Sequence, residues 1–132
     1  MFYILEHRNL RGLVFILERQ LMKESKEYLG HFEEIVLLAV LQLGAEAYGA
    51  KIRQKVSEAT ERDVSIGAIY ATLDRLERKG YMGSWQGEAT RERGGRAKRY
   101  FKVKGAGMQA LNDTNARRSK LTAGLDLGFG AA

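Results

Sequence analysis

The side chains of this sequence that could do chemistry are basic, and they are gathered in one place. Between Arg62 and Lys104 eleven Lys and Arg stand against five Asp and Glu, which accounts for the whole formal net charge of +6 of the 132 residues. From Arg91 to Lys104 alone there are seven basic residues and one acid, Glu92. A dispersed excess would only aid solubility, whereas a concentrated one suits a polyanionic partner. Catalytic chemistry is poorly provided for. There is no cysteine, so neither a disulfide framework nor a thiolate metal site can form. The two imidazoles, His7 and His31, match no ligand spacing. No Cys–His or Ser–His–Asp set is present, and Gly94-Gly95 does not lie between a strand and a helix as a nucleotide loop must. The expectation is a binding protein that is not an enzyme and holds no metal or cofactor.

The stretch that must position this charge runs from Ser65 to Lys79. Its apolar residues Ile66, Ile69, Leu73 and Leu76 recur at i, i+3, i+7 and i+10, one stripe of an α-helix. Ser65 stands at the N-cap position and Gly80 where a helix ends in a left-handed residue. At 100° per residue the opposite face carries Gly67, Ala68, Ala71, Arg75, Arg78 and Lys79. Small residues followed by positive charge allow close approach to a grooved anionic surface, which makes this a candidate DNA recognition helix. Gly67, Ala68 and Ala71 would admit the backbone, leaving Thr72 and Arg75 as candidates for base edges. Tyr70, at the edge of the stripe, could reach a phosphate or pack against the chain beyond Gly80.

Two helices lead into it. His31 to Leu43 is apolar almost without a break and favours a helix buried on most sides, stopped by Gly44. A second helix from about Ala47 to Thr60 has Tyr48, Ile52, Val56 and Ala59 inward and Lys51, Arg53 and Lys55 outward. Tyr48 and Lys51 fall at its start, where backbone N–H groups favour phosphate. The short link Glu61 to Val64 then completes a helix-turn-helix pattern.

After Gly80 the period changes to alternation. Tyr81 to Gln86 and Ala97 to Val103 are predicted strands, with Phe101 and Val103 on one face and Lys98, Tyr100 and Lys102 on the other. Residues 87–96 between them form a glycine-bounded basic tip. Arg91, Arg93, Arg96, Lys98 and Arg99, with Tyr100 beside them, are candidate DNA contacts of this wing. Trp85, the single tryptophan, either packs within the hairpin or forms an aromatic wall for a planar effector.

At the N-terminus Leu10, Leu13, Val14, Leu17 and Leu21 suit an amphipathic helix from about Asn9 to Lys26. It could pack on the domain or across a dimer interface, lie on a membrane surface, or precede a translation start at Met22; its mixed polar face disfavours the membrane. The last helix, about Ala106 to Leu125, is too polar to stand alone and calls for a partner, most simply its own copy in a second subunit. The expected division is an N-terminal extension (1–27), a winged helix-turn-helix domain (28–104), a dimerisation helix (105–125) and a flexible tail (126–132). No run approaches a membrane span, and a cytoplasmic location is expected. The fold class is mainly α (α+β): a winged helix-turn-helix with a two-stranded β-wing plus N- and C-terminal helices.

Particular residues carry a resemblance. Tyr28-Leu29-Gly30, Phe32-Glu33, Ala47-Tyr48-Gly49, the run Gly67 to Leu76, Lys79-Gly80 and Gly94 to Tyr100 resemble the PadR family of bacterial transcriptional regulators, over about Tyr28 to Val103. The resemblance implies a cytoplasmic homodimer that represses genes by binding double-stranded DNA at a palindromic operator. It also implies a C-terminal dimerisation helix and, in some members, a small hydrophobic or aromatic effector that loosens DNA binding. The short chain after the wing is similar to the small subfamily. Lys104-Gly105-Ala106-Gly107 departs from the Thr or Ser that usually opens the last helix, and residues 1–21 lie outside the match. The alternative reading is a winged-helix protein–protein interaction module without specific DNA binding; such modules tend to shed wing arginines, which this sequence keeps.

Overall fold

The computed structural model describes residues 11–14, 16–17, 28–88 and 97–128. Helix α1 (His31–Leu43) leads through a 3-10 turn (Gly44–Glu46) into α2 (Gly49–Thr60) and α3 (Ile66–Arg78). Strands β1 (Met82–Gln86) and β2 (Arg99–Val103) come next, then α4 (Gly105–Thr122). This is the expected winged helix-turn-helix order, mainly helical with one antiparallel pair of strands among the described residues. Residues 11–14 and 16–17 are helical, with Leu13, Val14, Ile16 and Leu17 exposed. The rest of the expected N-terminal helix lies outside the described residues.

The core gathers one stripe from each element: Val36, Leu37 and Val40 of α1, Ile52 and Val56 of α2, Ile69, Leu73 and Leu76 of α3, and Met82, Phe101 and Val103 of the hairpin. Each such side chain contributes roughly 1.5–3 kcal/mol by leaving water. Helix α1 packs against α2, α3 and β2 at once, which explains its nearly continuous apolar sequence. It is not covered all round, however. Leu38 and Leu41 are exposed, and so is Ala59 of α2, because a single layer of three helices and a hairpin leaves its outer flanks to solvent.

Local chemistry sets the boundaries. Gly30 has no side chain to cap α1, so Glu33 reaches back and its Oε1 accepts from the Gly30 N–H at 2.7 Å. Gly44 ends α1 with φ +56°, its N–H donating to the Val40 carbonyl. The turn between α2 and α3 is tied by Arg53, whose Nε donates to the Val64 carbonyl (2.8 Å) and whose Nη2 meets Asp63 Oδ1 (2.7 Å). Arg53, expected to point outward, is thus a strut of the helix-turn-helix. The Val64 N–H adds a bond to Ser57 Oγ at 3.1 Å.

In the hairpin Ser84 pairs with Phe101 and Trp85 with Tyr100. The Phe101 N–H donates to the Ala47 carbonyl at 2.8 Å, which fastens β2 to the start of α2. Helix α4 leaves the hairpin at very close quarters: a Cβ on Gly107 would overlap the Tyr81 carbonyl and the Val103 side chain. Its N-cap, Lys104, makes no side-chain cap bond. The helix is also held within its own chain, by Arg118 on Glu34 (3.1 and 3.3 Å) and Arg117 over the Tyr28 ring (4.4 Å).

Candidate nucleic-acid interface

Ser65 caps α3 as expected, its Oγ accepting from the Ala68 N–H at 3.1 Å. The inner face is Ile69, Thr72, Leu73 and Leu76, and the outer face presents Gly67, Ala68, Ala71, Arg75 and Arg78. A Cβ built on Gly67 meets nothing within 4 Å, so no packing within the chain requires glycine there. Two residues exchange their expected places. Ile66 is 43% exposed, since it lies in the first turn, ahead of the part of α3 that the core covers. Thr72 is only 2% exposed: it lies three residues after Ile69 and so belongs to the buried stripe. Its Oγ1 donates to the Ala68 carbonyl (2.9 Å) and accepts from Arg75 Nη2 (3.3 Å), so Thr72 is not placed to touch a base. Arg75 is the exposed polar residue of that pair.

Lys79 also departs from the outer face. Its Nζ lies 2.9 Å from Oε1 of the buried Glu33, tying the end of α3 to the first turn of α1. Tyr70 takes the packing role anticipated for it, against the hairpin. Its ring is 6.5 Å from that of Phe101, and its hydroxyl end lies against Gly49, in the first turn of α2. A side chain on Gly49 would overlap the Tyr70 hydroxyl and ring, so glycine is what lets the phenol sit against that turn. Gly49 was not singled out from sequence as a contact, although its place directly after a helix-starting residue was a usable signal. Lys51, half-buried, stands in the same first turn.

On the outer face of the hairpin three rings form a row. Trp85 stacks on Tyr100 (centroids 5.9 Å, planes 20° apart), and Tyr100 meets the edge of Tyr48 (5.7 Å, 75°) through a bridge between their backbones. Lys98 Nζ closes the row, 3.9 Å from the Tyr48 ring centroid. Tyr48 is almost wholly buried and Tyr100 half-buried, so the aromatic bodies of both are committed to the fold rather than spread on the surface. Trp85 remains 47% exposed and lines a cavity of about 370 Å³ with Val40, Leu41, Gly44 and Ala45 of the first helix and turn and Phe101, Lys102 and Val103 of β2.

Arg99 differs most from expectation. Its Nη2 lies 2.5 Å from Glu77 Oε1, its Nη1 3.6 Å from Asp74 Oδ1, and its Nε donates to Ser84 Oγ at 3.1 Å. Its guanidinium also covers the Phe101 ring at 4.9 Å. The cause is strand alternation: Arg99 shares the inner face with Phe101 and Val103, so it points at α3 and not away from the wing. Arg91, Arg93 and Arg96 lie outside the described residues. Among the described residues no group of three His, Cys, Asp or Glu could hold a metal, and no helix is long and apolar enough to cross a membrane.

Comparison with known proteins agrees with this geometry. Residues 37–113 match the family model of the transcriptional regulator PadR-like family. A PadR-like transcription factor from Bacteroides fragilis superposes with a TM-score of 0.58 at 27% identity, over 78% of this chain and 92% of that one. A PadR family transcription regulator from Clostridium difficile gives 0.58 at 19% identity, over 76% of this chain and all of its own. An uncharacterised protein of Lysinibacillus sphaericus is 27% identical over 86 residues, 64% of this chain and 74% of its own length. With the family model covering more than half of the sequence and the winged helix in place, the chain belongs to the PadR-like family of transcriptional regulators.

Proposed function

We propose that the protein is a sequence-specific binder of double-stranded DNA that acts as a cytoplasmic homodimeric repressor on a palindromic operator. The observation that carries this reading is the outer face of α3. Gly67, Ala68 and Ala71 are exposed above a fully packed inner face, Gly67 opens onto empty space, and Arg75 stands at their end. Such a surface fits a major groove closely and offers one guanidinium to base edges. Phosphate anchors would come from the first turn of α2 with Tyr70 and Lys51, and from the wing with Lys98, Arg91, Arg93 and Arg96. The exposed apolar side chains Leu38 and Leu41 of α1 and Met108 and Leu121 of α4 favour a second copy as partner. The apolar cavity beside Trp85 favours release by a small hydrophobic or aromatic effector.

Fluorescence anisotropy tests it, on duplexes from the protein's own upstream region and on random duplex at several salt concentrations. The upstream duplex should bind at least about a thousandfold more tightly than the random one. Arg75→Ala should cost about 1–3 kcal/mol on the preferred duplex and relax selection at one position. Gly67→Val should leave the melting temperature unchanged or slightly raised, because valine is the better helix former, yet weaken the preferred duplex tenfold or more. Equal binding of preferred and random DNA would overturn the reading in favour of a protein–protein module. Wild-type affinity in Gly67→Val would remove α3 from the contact.

A further inference from the structure

We propose that Arg99 is a positioning residue for recognition: it locks α3 to the wing and cancels the two carboxylates of α3, and it makes no contact with DNA. The inference rests on the reading of α3 as the DNA-facing helix. Helix α3 carries Asp74 and Glu77, one turn apart on the flank turned toward the hairpin, each partly exposed. Unneutralised, they would sit within a Debye length of any phosphate that the helix approaches, and would repel it. Arg99 reaches both from β2. Its Nε donates to Ser84 Oγ of β1, and its flat face lies on Phe101. One guanidinium thus joins three elements, and a phosphate contact would have to compete with the Glu77 and Ser84 bonds and the Asp74 pairing.

The placement also sets the sign of the helix surface. Lys79 is taken up by Glu33, so among the described residues Arg75 and Arg78 are the cations of α3 outside any ion pair. With Arg99 covering Asp74 and Glu77, the face left to DNA is small and positive. Without it, the same helix would be close to neutral overall and tied to the hairpin by apolar packing alone.

The experiment is a double-substitution cycle of Arg99→Met and Glu77→Gln in the full chain, with Arg99→Lys alongside. The probe is the tightest duplex that the wild-type protein recovers from a randomised pool, and thermal melting of the free protein is measured in parallel. Arg99→Met should weaken the duplex about tenfold or more and lower the melting temperature, and Arg99→Lys should recover only part, having no fork. Adding Glu77→Gln to Arg99→Met removes the nearer of the two stranded carboxylates and should recover about threefold or more of the lost affinity, with the wild-type salt slope, the rest staying lost with the tie to β2 and the uncovered Asp74. A phosphate contact behaves otherwise: the double variant would stay as weak as Arg99→Met, with a slope shallower by about 0.9, and that would overturn the proposal. If the wild type recovers no preferred duplex, the DNA reading has failed and melting decides the lock alone. Non-additive shifts would then support the lock, and additive shifts would overturn it.

Discussion

Phe101→Ala is expected to lower the free energy of unfolding by about 3–5 kcal/mol, the usual cost of emptying a core aromatic site. For a domain of this size that is a large share of the whole. Phe101 is 1% exposed and heads the fully buried side chains by volume. Its ring lies beneath the Arg99 guanidinium and beside Tyr70, and its N–H holds Ala47. Truncation therefore opens a void where the hairpin, α3 and the start of α2 meet, and none of the three can close it without moving the other two. Urea unfolding followed by circular dichroism measures the loss, and Trp85 fluorescence reports the hairpin separately, since Trp85 stacks on the neighbouring Tyr100. Coincident transitions at a much lower midpoint are expected. A loss below about 1 kcal/mol would mean that the wing is an appendage to the helices and not part of their core.

Phe101 also marks how far the sequence was legible. Alternation along 97–103 placed it inward with Val103 and placed Tyr100 outward, and both placements hold. The same period extended two residues back puts Arg99 inward. Its membership in a run of basic residues concealed this, because a cluster of charge suggests a surface whatever the strand geometry says. Helical periodicity had a similar limit on α3. The apolar stripe was right over Ile69, Leu73 and Leu76, but it took Ile66 for a core residue and Thr72 for a surface one. A hydroxyl that can bond the carbonyl four residues back is readily buried, and periodicity in apolar residues alone does not register it. Contacts made across long separations left no local trace. The bridge between Tyr48 and Tyr100 depends on how the hairpin folds back over the start of α2, and the seating of Tyr70 on Gly49 on how α3 packs against α2, which no one segment encodes by itself.

Lys79→Met is expected to cost about 2–4 kcal/mol, somewhat below the value for a wholly buried pair because Lys79 keeps 23% of its side chain exposed. Sequence placed Lys79 on the DNA-facing side, by its angle on an ideal helix. In the fold it is the C-cap residue of α3, and its partner Glu33 lies 46 positions earlier, in the first turn of α1. Each charge sits at the helix end whose dipole favours it, which offsets part of the cost of taking both out of water. Glu33 Oε1 takes the Gly30 N–H and the Lys79 ammonium, while its buried Oε2 has no hydrogen-bond partner among the described residues. Removing the lysine therefore strands a carboxylate that is already incompletely satisfied. Pairing Lys79→Met with Glu33→Gln withdraws the stranded charge and keeps an acceptor for Gly30, so the double variant should regain most of the loss in urea unfolding. Near-neutral behaviour of Lys79→Met alone would show that the ammonium is hydrated and contributes little. On the proposed reading of α3 the pair would matter for recognition as well: Arg99 ties the helix to the hairpin, Glu33 ties its end to α1, and the two ion pairs would together hold the angle at which Gly67, Ala71 and Arg75 meet a groove.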